Sequence, residues 1–256
     1  MLDFSTGGRR VLTYEQDAIT MRRLQAAQYI PDVDPRELAI YTPTDAASYL
    51  GINESTLKSW IYGRRYPKKD GIGFFLPLIK PADPEHRLLS FFNLAEAHVL
   101  AATRYKHAVS IKSVRQALET LREKYPSEHP LISHDFHTNG EDIFLKTVSE
   151  NENLSHPGQL NMKKIMDKFL AHIGRDKNKI VDRVFPIIKG LPHDEVIGII
   201  HGVASGQPVL SDSRIPVWVI HGRSTSGENK TSIARDFGIS VDKVQRAIDY
   251  VEKRAA

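Results

Sequence analysis

The chain contains no cysteine in 256 residues. That excludes disulfides and thiolate zinc sites, and it suits a reducing compartment. No run of about eighteen apolar residues occurs, so no membrane-spanning helix is expected. The opening residues, Met1 to Arg10, lack the apolar core of a signal peptide, and a cytoplasmic protein is expected. Also missing are a glycine-rich phosphate loop, a serine nucleophile elbow and a His-Glu-x-x-His helix. Neither sign of charge dominates: 35 Lys and Arg against 31 Asp and Glu leave +4, which permits nucleic-acid binding without demanding it. His129, His134 and His137 lie near Asp135, but in an alternating strand His134 and Asp135 face opposite ways. Asp135, Glu141 and Asp142 could formally serve a carboxylate nuclease, yet Glu141 and Asp142 border a turn, where acids are commonly solvated. The expectation is a non-enzyme with no catalytic residues, no metal and no cofactor.

What is present is an ordinary globular composition, 41% hydrophobic and 26% charged, long enough for two compact domains with cores of their own. Two segments carry the helix-turn-helix pattern. In the first, Ala47, Gly51, Leu57 and Trp60 supply the small contact residue, the turn glycine, the apolar anchor and the bulky residue that locks the hairpin. Thr42 with Asp45 forms a start resembling a capping box, and Asn53 is placed to cap the second helix. Glu54, Ser55, Thr56, Lys58 and Ser59 are left outward, with Arg64, Arg65, Lys68 and Lys69 close behind. Small hydroxyls at a helix N-terminus followed by cations fit base contacts flanked by phosphate contacts; the alternative is a solvated polar face with a basic loop.

The second segment repeats the pattern near the other end. Ala234, Gly238 and Val244 have the same spacing, Asn229 and Ser240 are candidate caps, and Val241, Val244, Ala247, Ile248 and Val251 point inward. Its second helix exposes Asp242, Lys243, Gln245, Arg246 and Asp249. Gln245 and Arg246 suit adenine and guanine edges, while the aspartates would repel phosphates. Lys243, Gln245 and Arg246 are therefore candidate DNA contacts weaker than those of the first segment.

Between and around the motifs, Tyr14 to Tyr29 could form a helix, with basic pairs at Arg9-Arg10 and Arg22-Arg23. Phe74 to Ile79 and Leu88 to Phe92 read as two strands of a wing, limited by Pro77, Pro81 and Pro84. Asn93 then caps a helix to Tyr105, and Ser110 caps another to Tyr125. Ile132 to Val148 reads as a β-hairpin turning at Asn139-Gly140, Met162 to Ile173 as an amphipathic helix, and Ile180 to Ile188 as a strand. The helices at 111–125 and 161–173 offer apolar stripes that could pair two chains. The expected fold is mainly α with small β-hairpins, an α+β chain of two helix-turn-helix units.

Two resemblances follow. Gly206-Gln-Pro-Val-Leu210, Ser213-Arg-Ile-Pro-Val217 and Gly227-Glu228 ahead of the second motif resemble a small prokaryotic winged-helix family of formerly unknown function. Members resemble VapB-like antitoxins, often encoded beside a toxin with a PIN-type ribonuclease fold. Asp212-Ser213 replaces the family's Gly-Thr; Asp tolerates the left-handed region, so the turn is expected to survive. Arg214 has two open readings, a loop-carbonyl bond or a phosphate contact. The order helix-turn-helix, wing, two helices over about 42–125 resembles MerR-like winged-helix domains. The resulting division is an arm (1–40), a MerR-like head (41–125), a linking module (126–190) and an antitoxin-like unit (191–256). The motifs lead to the expectation of a cytoplasmic antitoxin that binds double-stranded DNA at its own promoter through one or both units and represses it. A homodimer is expected because such operators are commonly palindromic. The resemblance implies that it blocks a PIN-type toxin. A stand-alone MerR-like regulator and a non-DNA scaffold are the alternatives.

Overall fold

The computed structural model describes residues 33–69, 71–105, 109–134 and 136–254. The expected helix at Tyr14 to Tyr29 and the arginine pairs at 9–10 and 22–23 lie outside them. The fold is α+β, with helices and two small antiparallel sheets.

The first motif folds as its spacing requires. Thr42 accepts from the Asp45 amide at 3.0 Å and starts α1 (Pro43–Leu50). Gly51 turns the chain at φ 63°, and Asn53 caps α2 (Glu54–Tyr62) through the Ser55 amide at 2.9 Å. Ala47, Leu57, Trp60 and Ile61 are buried beneath the pair.

The wing lies earlier than the sequence suggests. Strand β1 (Arg64–Lys68) pairs with β2 (Gly71–Phe75) immediately after α2, so Arg64 and Arg65 sit in the wing itself. Pro67 and Gly71 bracket a tight reversal, a turn signal that outweighs the prolines further on. Leu88 and Leu89 make only single bridges, to Asp83 and Tyr41. Helix α3 (Phe91–Tyr105) then begins three residues before the expected start. Its cap is Ser90, whose hydroxyl accepts from the Asn93 amide while the Asn93 side chain accepts from the Ser90 amide, both at 3.1 Å. Ser110 caps α4 (Ile111–Lys124) as expected.

Where a hairpin is expected over 132–148, the residues from Phe136 to Val148 are helical. Phe136–Gly140 forms a π turn that runs into α5 (Glu141–Asn151), and α6 (His156–Ala171) follows. Phe144, Leu145 and Val148 recur at helical spacing on one buried face, and that period prevails over the Asn-Gly turn signal. The stripes of α4 and α6, expected to be free to pair two chains, are consumed internally. Val114, Leu118, Leu121, Met162, Met166 and Phe169 belong to the same buried cluster as Trp60.

Strands β3 (Ile173–Arg175), β4 (Val181–Val184), β5 (Ile197–Ile200) and β6 (Pro208–Leu210) form an antiparallel meander. After it come α7 (Val217–Thr225), α8 (Lys230–Phe237) and α9 (Val241–Arg254). A second buried cluster, with Leu210, Ile220, Ile233, Val244, Ala247 and Tyr250, holds them together. The left-handed residue of the 212–215 turn is Arg214, at φ 58°, rather than Asp212. Asp212 instead accepts from the Ser213 amide at 2.8 Å.

The C-terminal unit is seated on the back of α1. Tyr250 is buried, and its hydroxyl donates to the Tyr49 carbonyl at 2.5 Å. The Arg254 guanidinium lies 5.4 Å from the Tyr49 ring centroid and 5.7 Å from that of Tyr250. Lys253 closes the joint by donating to the Gly190 carbonyl at 2.7 Å.

Candidate nucleic-acid interface

Helix α2 is amphipathic because its buried positions, Leu57, Trp60 and Ile61, fall on one side. Ser55 and Lys58 are exposed; Thr56 and Ser59 are half-buried at its margin. Ser59 donates to the Thr56 carbonyl at 2.7 Å, and Ser55 donates to the Asn53 side chain at 2.6 Å. Lys58 meets Glu54 one turn back at 2.5 Å, and Thr44 also donates to that carboxylate. The Lys58 bond, chiefly, holds the Glu54 carboxyl below its ordinary range. This exposed pair is weak enough for a phosphate to displace.

The wing adds cations of a different kind. Arg64, Arg65, Lys68 and Lys69 are exposed, and none has an acidic partner among the described residues. Tyr66 stacks on Phe75, centroids 4.0 Å apart, and Lys68 lies 5.6 Å from the Tyr66 ring centroid. The base of the hairpin is braced by α4: Arg115 and Arg122 donate to the carbonyls of Leu76 and Leu78, and Arg115 covers the Phe75 ring. Ser55, Thr56, Lys58, Ser59, Arg64 and Arg65 are thus carried by α2 and the strand directly after it.

The second motif has the same backbone and different electrostatics. Asn229 caps α8, Gly238 turns at φ 64°, and Ala234 and Val244 are buried. However, Lys243 is paired with Asp212 and Arg246 with Asp194, while Gln245 donates to Asp249 at 2.7 Å and accepts from Lys230 at 2.5 Å. Both candidate cations of this unit are therefore closed by an aspartate of the same unit. Sequence reasoning has no signal for Asp194 and Asp212 here, since only the folded chain brings these loop residues to α9.

The two units are what the comparisons match. Two family models align, one over each helix pair. Residues 39–118 match the family described as "Putative DNA-binding HTH domain", and residues 197–251 match "Protein of unknown function (DUF433)". The first match covers α1, α2, the wing, α3 and most of α4, the segment whose backbone carries the first helix-turn-helix pair. Among curated proteins, "Uncharacterized protein Rv2308" of Mycobacterium tuberculosis is 27% identical over 243 residues, 90% of this chain and 96% of that protein. "Putative antitoxin VapB45" of the same organism is 26% identical over 234 residues, 84% of this chain and 95% of that protein. The crystal structure of Rv2018, also from Mycobacterium tuberculosis, superposes with a TM-score of 0.60 at 24% identity, covering 82% of this chain and 96% of that one. That likeness speaks to the fold alone.

The three candidate histidines do not converge. His129 lies between two carboxylates, its Nδ1 2.9 Å from Glu96 and its Nε2 2.9 Å from Glu37. Burial lowers the His129 pKa, but the Glu96 hydrogen bond and the two nearby carboxylates outweigh it and raise the ring to about 8. Burial pushes the Glu96 carboxyl up, against the His129 bond. His134 and His137 are exposed on the turn beyond, and Asp135 lies outside the described residues. Glu141 is raised to about 7, first by burial and then by Asp167, and Lys163 bridges Glu141, Asp142 and Asp167. Among the described residues no helix is long and apolar enough to cross a membrane.

Proposed function

We propose that this chain is a cytoplasmic, non-enzymatic antitoxin of a type II toxin–antitoxin pair that binds and represses its own promoter and neutralises a PIN-type ribonuclease. The DNA half of this reading is carried by one observation. Arg64, Arg65 and Lys69 are exposed on the strand and turn that follow α2, with no acidic partner among the described residues. Exposed cations following the C-terminal end of a recognition helix are a charge pattern that counterion release rewards on DNA. Ser55, Thr56 and Ser59 reach base edges in the major groove, and Lys58, Arg64 and Arg65 position the helix on the phosphates. Lys243, Gln245 and Arg246 add a weaker contact, since each must first leave its internal partner.

The antitoxin half is supported by the relative carrying that name, which aligns over 95% of its own length. The PIN-type partner rests on the resemblance of the segment 206–228. The division into head (41–125), linking module (126–190) and C-terminal unit (191–256) belongs to this proposal, as does a homodimer reading two half-sites. The deciding experiment is co-expression with the neighbouring reading frame. A stoichiometric complex in which ribonuclease activity is suppressed is expected. Tight promoter binding with no co-purifying partner would favour the alternative, a stand-alone regulator with a MerR-like head.

A further inference from the structure

The wing has two unlike faces. Residues directly opposite in an antiparallel ladder share a face, so Arg64, Tyr66 and Lys68 lie with Phe75, Gly73 and Gly71 on one side. There Tyr66 covers Gly73 so closely that a Cβ on Gly73 would stand 2.5 Å from the Tyr66 ring. Arg65 and Pro67 share the other side with Phe74 and Ile72. This second face is apolar and uncovered: Ile72 is 75% exposed, Phe74 52%, and Leu76, next in the alternation, 62%. Three of the large exposed hydrophobic residues of the described chain therefore fall at alternate positions of one short segment. Ile72 and Pro67 form the distal pair, one step from the tip, beside Lys68 and Lys69.

We propose that this face is a minor-groove wedge, with Ile72 entering a base step and Phe74 and Pro67 backing it. The inference rests on the DNA-binding reading of the head and adds to it a deformation of the DNA. Charge complementarity selects the occupant. An apolar face bordered by Arg65, Lys68 and Lys69, cations without acidic partners among the described residues, suits a groove walled by phosphates, and they outnumber Asp70, the one acid the sequence puts between the two strands. A second copy of this surface would bring the same cations face to face. Apolar side chains inserted between base steps unstack them and kink the duplex toward the major groove. The brace from Arg115 and Arg122 to the Leu76 and Leu78 carbonyls keeps the hairpin base fixed while the tip enters.

The test uses the full chain and a double-stranded fragment of its own upstream region, bounded by footprinting and labelled at both ends for energy transfer. The wild-type chain is expected to shorten the end-to-end distance. Ile72→Ser should abolish that shortening and weaken binding on the order of tenfold, the cost of leaving one aliphatic side chain unburied. The salt slope should stay unchanged, because every phosphate keeps its cation. Lys68→Ala with Lys69→Ala should do the reverse, flattening the slope by about 0.9 for each phosphate no longer neutralised. Both sites are exposed, and an unaltered thermal transition verifies the fold. Bending preserved in Ile72→Ser overturns the wedge while leaving DNA binding intact. A change of sedimentation coefficient in Ile72→Ser without DNA assigns the face to self-association instead. Failure of the wild-type chain to bind any part of the fragment overturns the DNA-binding reading and the wedge with it.

Discussion

Arg64 and Arg65 differ from Lys243 and Arg246 only in what surrounds them, and that difference is measurable. Replacing both wing arginines with Ala should weaken binding across sequences and lower the salt slope by about 0.9 for each phosphate left without its cation. Replacing Lys243 and Arg246 should change DNA affinity far less, because Asp212 and Asp194 already hold them. Filter-binding titrations at several salt concentrations separate the cases; a larger effect from the second pair reverses the ranking of the two units. His129 carries a pH dependence of stability. Its folded pKa of about 8 exceeds the ordinary 6.5, so the fold favours the imidazolium. That contribution is fully present below about pH 6.5 and is lost as pH rises through 8, on the order of 1–2 kcal/mol. Urea midpoints at pH 6 and pH 9 should differ more in wild type than in His129→Gln, where the smaller response of Glu141, raised to about 7, remains. An equal pH response in the variant would remove His129 from the account.

At the scale of elements, both helix-turn-helix pairs are legible in the sequence, because caps, turn glycines and apolar anchors are local signals. Thr42, Asn53, Ser110 and Asn229 cap the helices that their positions predict. The wing and the helical stretch 136–151 are not legible in the same way: the pattern sets the wing too late and gives strand at 136–148. Short apolar runs carry both periods, and only the partner surface chooses between them. Of the candidate interface, Ser55 to Arg65 can be named from spacing, whereas exposed Ile72 and Phe74 cannot. Nothing local says which face of a two-stranded ribbon will stay uncovered. The seat of α9 on α1 is likewise invisible, since Tyr49 and Tyr250 are 201 residues apart. Tyr250→Phe should cost about 1 kcal/mol, one buried hydrogen bond. Tyr250→Ala should cost about 3–5 kcal/mol through the cavity it leaves. Equilibrium denaturation checks both; a Tyr250→Ala chain as stable as wild type would mean the seat contributes nothing.

At the scale of the molecule, the α4 and α6 stripes are spent inside the chain, so any dimer must use another surface. Light scattering at micromolar concentration should give twice the chain mass; a strict monomer that still binds DNA tightly would leave both half-sites to one chain. The two turn glycines then provide a comparison that the chain carries within itself. Gly51 and Gly238 have nearly the same backbone, φ 63° and 64°. A Cβ on Gly238 would meet nothing within 4 Å, while one on Gly51 would stand 2.7 Å from the Ile188 methyl of the second cluster. Gly238→Ala therefore isolates the cost of a left-handed alanine, about 1–2 kcal/mol. Gly51→Ala adds a close contact with that terminal methyl, from which the Ile188 side chain can turn away, so its extra cost is about 1 kcal/mol or less. Subtracting one from the other reads out how far Ile188 gives way beside the first turn, a local quantity that truncation would destroy in the act of measuring.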